Sequence, residues 1–331
     1  MKKIFIVWGR EGELSRYLAK FLGADFKKVY VKKLGPINLP VFFRYILQSL
    51  VTLVIFIKQK PDIIIVQNPP IFLAFLAYLY CTISRAKLAI DSHTAVFLDK
   101  KWILFHWLFK FVAKRSTLNT CHNFKNLEIL EKWKVKPAMV MQFYNPSYDL
   151  KRLNEPMVNK DLDEKIIDNN IMMVNRFAND DDWQTVLETA KLMPEYNFFI
   201  TGQPNRKDKG KIKKASANVI FTGYLKHEEF LKLMWRCQVI LAFTLRRDTV
   251  LWSIREIMAL KKPFVATDSE VLRYYFKDVA LFTQSDSTEM KLRIKEALSS
   301  EADIKENINK FLVKDKIRWE KEIATFKKFL R

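Results

Sequence analysis

The chain has 331 residues, 49% of them apolar, with 7 glycines, 3 cysteines and a net charge of +21. That length exceeds one ordinary core and points to two domains, while three scattered cysteines (Cys81, Cys121, Cys237) exclude a disulfide framework or zinc module and fit a reducing, cytoplasmic setting. The charge is uneven: residues 1–150 hold 23 basic against 9 acidic residues, net +14, so the first half calls for an anionic partner such as nucleic acid, acidic lipid or a phosphorylated substrate, unless it is simply a solvated lysine-rich surface.

The opening MKKIFIVWGREGE has only a five-residue apolar run, too short for a signal-peptide core, and reads as a first strand. GREGELSRYLAKFLG reads as a turn and a helix, KKVYVKKL as a short strand and VFFRYILQSLVTLVIFIKQK as a long apolar helix. PDIIIVQNPP follows as a strand, IFLAFLAYLYCTISR as a helix and AKLAIDSH as a strand. Strand alternating with helix predicts a parallel sheet covered on both faces. The stretch 100–115, KKWILFHWLFKFVAKR, sets Trp102 and Trp107 among Lys110, Lys114 and Arg115. Aromatic bulk beside a basic stripe reads as an interfacial membrane helix; a core helix with a basic edge has the same pattern. Interruption by Arg44, Gln48 and Ser49 argues against 41–57 as a spanning helix.

Residues 151–170 are polar and mark a boundary, giving domains 1–155 and 156–311, with a closing helix near 312–331 packing back on the first. After it the pattern restarts: IMMVNRF strand, DDDWQTVLETAKLM helix, YNFFITG strand, NVIFTG strand, KHEEFLKLMWRC helix, QVILAFT strand, a helix after RRDTV, PFVAT strand, VALFT strand and terminal helices. The aspartates of NDDDW read as a helix cap and first turn, with Asn179 or Asp180 as N-cap, rather than metal ligands. GREG lacks the dinucleotide fingerprint. Asp91 and His93 alternate onto one strand face, as an acid–base pair or a structural contact.

In RRDTVLWSIREIMALKKPFVAT, Asp248 and Glu256 are eight positions apart. On a helix that is roughly 12 Å, the scale of a ribose, a diphosphate and a sugar in line, and a helix N-terminus is a seat for phosphate. The plain alternative is Asp248 as N-cap and Glu256 paired to Arg255 or Lys261. This stretch resembles the donor-site motif of GT-B glycosyltransferases of the family-4 type: two acids with seven residues between, an apolar helix, then a Pro-Val-Val-Ala-like strand. FFITGQP, FTGYLKHEEFLKLMWRCQVILAFT and VNRF add matches in order. IIIVQNPP and AIDSHTA resemble strand ends of the chitobiosyl-diphosphodolichol β-mannosyltransferases. The resemblance covers most of residues 1–280.

The resemblance implies an α/β GT-B fold, two Rossmann-like domains whose parallel sheets face across a cleft. It implies a metal-independent hexosyltransferase, cytoplasmic and peripheral on the inner membrane face, needing no cofactor beyond its nucleotide-sugar substrate. The acceptor would be a saccharide or a lipid-diphosphate-linked molecule used in polysaccharide or glycoconjugate synthesis. By position, Glu256 would accept from ribose hydroxyls and Asp248 would face the transferred sugar. Backbone N–H groups of Thr249, Val250 and Leu251, standing where the family has glycines, would meet the diphosphate. Arg176 would neutralise that diphosphate. Asp182 stands where the family has lysine, so Arg246 and Arg247 would supply the second cation. Gly202 would join the nucleotide-sugar site at its strand end, Tyr224 and Leu225 would lie near the base, and His93, with Asp91, near the reacting sugar. Two other classes compete: a non-catalytic sugar-nucleotide-binding partner protein, and a nucleic-acid-binding protein, although no nucleic-acid module is recognisable.

Overall fold

A computed structural model describes residues 1–9, 13–31, 33–34, 37–142 and 148–330. The chain divides into two compact units, residues 1–143 with 317–331, and residues 144–316. Segment 151–170 therefore does not separate them; it belongs to the second unit, where Leu153, Met157 and Leu162 are buried in the core.

Among the described residues the first unit holds a six-stranded parallel sheet: β1 (Lys3–Val7), β2 (Asp25–Lys28), β3 (Ile63–Asn68), β4 (Lys87–Ser92), β5 (Leu118–Cys121) and β6 (Ala138–Val140), in the order β2-β1-β3-β4-β5-β6. Ile4–Val7 and Ile63–Val66 are fully buried, because helices cover both faces of a parallel sheet and leave its inner strands no polar side. Its helices of eight or more residues, before the last helix of the chain, are α1 (Glu13–Leu22), α2 (Val41–Gln59), α3 (Ile71–Ser84), α4 (His106–Ala113) and α5 (Phe124–Lys132) among the described residues. The second strand comes earlier than KKVYVKKL suggests, ending at Lys28. Of GREG, Arg10 to Gly12 lie outside the described residues.

Two sequence expectations about helices change. Segment 100–115 is not one helix: a single turn, Lys100–Ile103, precedes α4, and Trp102 is buried among the core side chains rather than presented outward. Trp107 is exposed, as are Lys110, Lys114 and Arg115. Conversely, α2 is continuous through Arg44, Gln48 and Ser49, and is long and apolar enough to cross a membrane by length and composition. One stripe of it, Gln48, Thr52 and Phe56, is buried, and the Trp8 indole N–H donates to Thr52 Oγ1 at 2.8 Å.

The second unit repeats the architecture with β7 (Asn170–Met173), β8 (Asn197–Thr201), β9 (Val219–Gly223), β10 (Val239–Ala242), β11 (Phe264–Thr267) and β12 (Leu281–Thr283), all parallel, in the order β9-β8-β7-β10-β11-β12. Its helices include α6 (Trp183–Lys191), α7 (His227–Arg236), α8 (Trp252–Ala259), α9 (Glu270–Phe276) and α10 (Ser287–Ser299). The last helix, α11 (Glu301–Leu330), contributes Ile304 and Ile308 to the second unit's core; from Ile317 on it belongs to the first unit, where Trp319 packs edge-on against Phe21 at 5.4 Å. The two sheets and their helices are those of the GT-B fold.

Candidate functional site

In open parallel sheets, ligands gather beyond the C-terminal strand ends where the strand order reverses. In the second unit that place lies between β7 and β10. After β7 the chain turns sharply, with Phe177 at φ 58°. The Asp181 carboxylate holds the turn, accepting from the backbone N–H groups of Arg176 (2.8 Å) and Ala178 (2.9 Å). Asp180 lies between two guanidinium groups, 3.7 Å from Arg176 and 3.5 Å from Arg246, and its carbonyl accepts from the Leu245 N–H at 2.7 Å. Arg176 is two-thirds exposed and Arg247 is exposed.

These contacts correct the capping assignment for NDDDW. Helix α6 starts at Trp183 with Asp182 as N-cap, and the Asp182 carboxylate takes the Thr185 hydroxyl. Asp180 and Asp181 instead organise the arginine-bearing loop. A recess of about 320 Å³ opens beside it, lined by Trp183, Lys207, Lys211 and Leu245 among others. Gly202, at φ +91°, ends β8 against the same loop. A Cβ there would lie 2.5 Å from the Asn175 carbonyl oxygen and 2.9 Å from Arg176 Cα, so only glycine lets β8 approach the turn.

The carboxylate pair is arranged differently from a single helix. Asp248 lies before α8 at φ 54°, the N-cap is Leu251 without a side-chain cap bond, and the helix starts at Trp252. Thr249 and Val250 therefore belong to the approach, and the helical amide groups begin beyond Leu251. Glu256 is on α8 and 4% exposed. Its partner is neither Arg255 nor Lys261: Glu256 Oε1 is 2.7 Å from Nε2 of His227, at the start of α7. His227 is mostly exposed and faces Tyr148 edge-on. Tyr224 is exposed and Leu225 half-buried, on the turn leading into α7. Arg255 turns the other way, into a buried ion pair with Asp315 at 2.8 Å.

In the first unit, the C-terminal ends of β4 and β5 bring together Asp91, His93 and His122. Asp91 is 1% exposed; its Oδ2 is 3.3 Å from His93 Nε2, and its Oδ1 is 3.2 Å from His122 Nε2 and 2.9 Å from the Thr120 hydroxyl. Burial alone would raise the Asp91 pKa, but the charge and hydrogen bond of His122, with those of His93, hold it well below the usual carboxylate range. Burial, with His93 beside it, lowers the His122 pKa, against the pull of Asp91. An ionised carboxylate only accepts, so His93 donates through Nε2–H and, when neutral, keeps a lone pair on Nδ1. Among the described residues these three form the one group that could hold a metal ion, their ligand atoms lying within 4.8 Å of one another. Asp180 to Asp182 are not such a group.

Sequence reasoning missed His122 and His227. His122 follows a strand, LNTC, with too few apolar residues to be recognised. His227 sat in KHEEF as an ordinary helix-start residue. Their visible signal was place: each stands where a strand or turn hands over to a helix.

Comparison with known proteins bears on the fold and on the second unit's domain. Residues 159–318 match the family model of glycosyl transferases group 1, a range that falls almost wholly within the second unit. No curated protein sequence matches the chain. Sucrose-phosphate synthase from Thermosynechococcus elongatus superposes with a TM-score of 0.72 at 12% identity, covering 98% of this chain and 100% of that one. Anabaena HepE in complex with UDP and glucose gives 0.71 at 13%, covering 98% and 99%. The UDP-forming trehalose-phosphate synthase from Burkholderia xenovorans gives 0.70 at 12%, covering 100% and 99%.

Proposed function

We propose that this chain, a GT-B protein whose second unit carries a glycosyl transferases group 1 domain, moves a hexose from a nucleoside-diphosphate sugar to a lipid-diphosphate-linked acceptor at the cytoplasmic membrane face. The observation that carries the reading is the grouping of Arg176, Arg246 and Asp180 at the switch point of the second sheet, inside the matched domain. The reading is supported by HepE, solved with UDP and glucose. The resemblance of IIIVQNPP and AIDSHTA to strand ends of the chitobiosyl-diphosphodolichol β-mannosyltransferases supports the acceptor class.

In this mechanism the donor diphosphate draws the Arg176 and Arg246 guanidinium groups away from Asp180, and phosphate oxygens replace the carboxylate. Cations and the amide groups opening α8 then stabilise the charge of the departing nucleoside diphosphate. Glu256 leaves His227 to accept from ribose hydroxyls, and Asp248 faces the transferred sugar. If transfer is inverting, His93 Nδ1 on the acceptor side takes the proton of the acceptor hydroxyl, while Asp91 orients and steadies the imidazolium. The scheme uses protein cations, so it runs without metal.

Calorimetry of UDP, GDP and their sugar conjugates tests the donor half. One nucleotide series should bind, and Glu256→Gln should weaken it by roughly 1–3 kcal/mol, the cost of losing a hydrogen bond to a charged group, with an unchanged melting temperature. Failure of every nucleotide to bind, or equal affinity of the variant, contradicts the assignment.

A further inference from the structure

Helix α2 presents more apolar side chain to the outside than its place in a folded unit requires. The stripe Gln48, Thr52, Phe56 faces the first unit's interior. On the opposite side runs a second stripe, Phe43, Ile46, Leu50, Val54 and Ile57, at steps of three and four residues, and all five are exposed, from 42% for Ile46 to 62% for Ile57. Consecutive members of such a series lie one above another on a helix, so the stripe is continuous over about 21 Å. Exposed apolar surface of this extent marks an interaction site.

The surroundings identify the occupant. Helix α2 carries no acidic residue; Lys58 closes its last turn, and Lys60 is exposed just beyond it. At that end Ile57 and the 87%-exposed Ile83 of α3 line a recess of about 610 Å³, rimmed by Lys60, Arg85 and Lys87. Asp62, the one acid lining it, is bound to the Lys2 backbone N–H at 2.6 Å. Apolar side chains beside a cationic rim match the acyl boundary and the anionic headgroups of a lipid leaflet. A second copy of the chain would bring two halves of net +14 together, which like-charge repulsion disfavours. Crossing the bilayer is ruled out by the other stripe: Phe56 is fully buried, the Tyr80 hydroxyl donates to its carbonyl at 3.1 Å, and Thr52 is bound to Trp8. A helix fastened to Trp8 and to α3 in this way cannot turn to span.

We propose that α2 is a monotopic membrane anchor that lays its Phe43–Ile57 stripe into the surface of an anionic bilayer, with Lys58, Lys60, Arg85 and Lys87 meeting lipid phosphates. This places the main contact on α2; Trp107, Lys110, Lys114 and Arg115 are secondary to it. The anchor does not depend on the transfer chemistry, and soluble-donor binding reads that chemistry separately.

The test is flotation of the full chain with vesicles of phosphatidylcholine alone or mixed with phosphatidylglycerol. The wild type should float with the anionic vesicles and much less with phosphatidylcholine. Leu50→Ser/Val54→Ser/Ile57→Ser should lower partitioning by about tenfold or more, as expected when buried methylene groups are lost, while nucleotide affinity and melting temperature hold. Lys60→Gln/Arg85→Gln/Lys87→Gln should lower it for anionic vesicles only. A wild type that ignores anionic vesicles at low salt overturns the proposal. So does a serine variant that floats like the wild type, or one whose only change is loss of a dimer in light scattering, which would make the stripe a contact between copies.

Discussion

His122 shows how one side chain can change the reading of a site. Its imidazole shares Asp91 with His93, and the two rings lie 4.3 Å apart by centroid. The fold favours the neutral form of His122, because burial and His93 lower its pKa. An unfolded histidine titrates near about 6.5, so as pH falls below that value the unfolded chain takes up the proton first. The His122 contribution to stability is therefore full above about pH 6.5 and lost as pH falls toward the lower folded value. Asp91 acts in a separate, more acidic window: its depressed pKa stabilises the fold above the unfolded carboxylate value and the benefit fades below it. Urea denaturation from pH 7.5 to 5 should thus show wild-type stability falling with acidity, and His122→Gln should flatten that fall. An identical slope in the variant would mean that His122 is not held neutral.

At the scale of elements, helix α8 links site and scaffold. Successive residues serve opposite ends: Glu256 turns to His227, and Arg255 pairs with Asp315 of α11, both side chains 3% exposed, with Arg255 also over the Phe276 ring at 5.3 Å. Removing one partner takes this counter-charge from a buried group, so Arg255→Met should cost about 3–5 kcal/mol in denaturant unfolding. Arg255→Met/Asp315→Leu should recover most of it, since replacing both charges by apolar groups is often neutral. A double variant as unstable as the single would show that the packing of Arg255, not its charge, holds the helix. Much of this level was legible in the sequence. Strands with uninterrupted apolar runs, IFIV and IIIV, were readable because both faces of a parallel sheet are buried. Strand β5 was not: Asn119 and Thr120 are fully buried, the Asn119 side-chain N–H donating to the Ala113 carbonyl and the Thr120 hydroxyl to Asp91, so a core strand looks like a polar loop. The helix break after Ile103 was hidden for the complementary reason: apolar residues on every side carry no period. Glu256 was legible as a buried carboxylate on an apolar helix; its partner, 29 residues earlier, was not, because only the packing of α7 beside α8 brings them together.

For the whole molecule, the uneven charge and the two repeated sheets tell one story. The unit formed mainly by residues 1–143, within the stretch 1–150 of net +14, bears the exposed apolar stripe and the Asp91–His93–His122 group; the other bears the arginine loop and Glu256. Under the proposed function, acceptor handling falls to the first unit and donor handling to the second. The central claim is that protein cations, not a metal, carry the leaving nucleoside diphosphate. The most direct measurement is release of nucleoside diphosphate from UDP- and GDP-sugars by the full chain with lipid-linked acceptor, in excess EDTA and again with Mn²⁺ restored. The account predicts turnover that persists in EDTA and falls on the order of 100-fold in Arg176→Ala, as for loss of one preorganised charge-stabilising group. Turnover abolished by EDTA and rescued by Mn²⁺, or an Arg176→Ala chain as fast as the wild type, would contradict it.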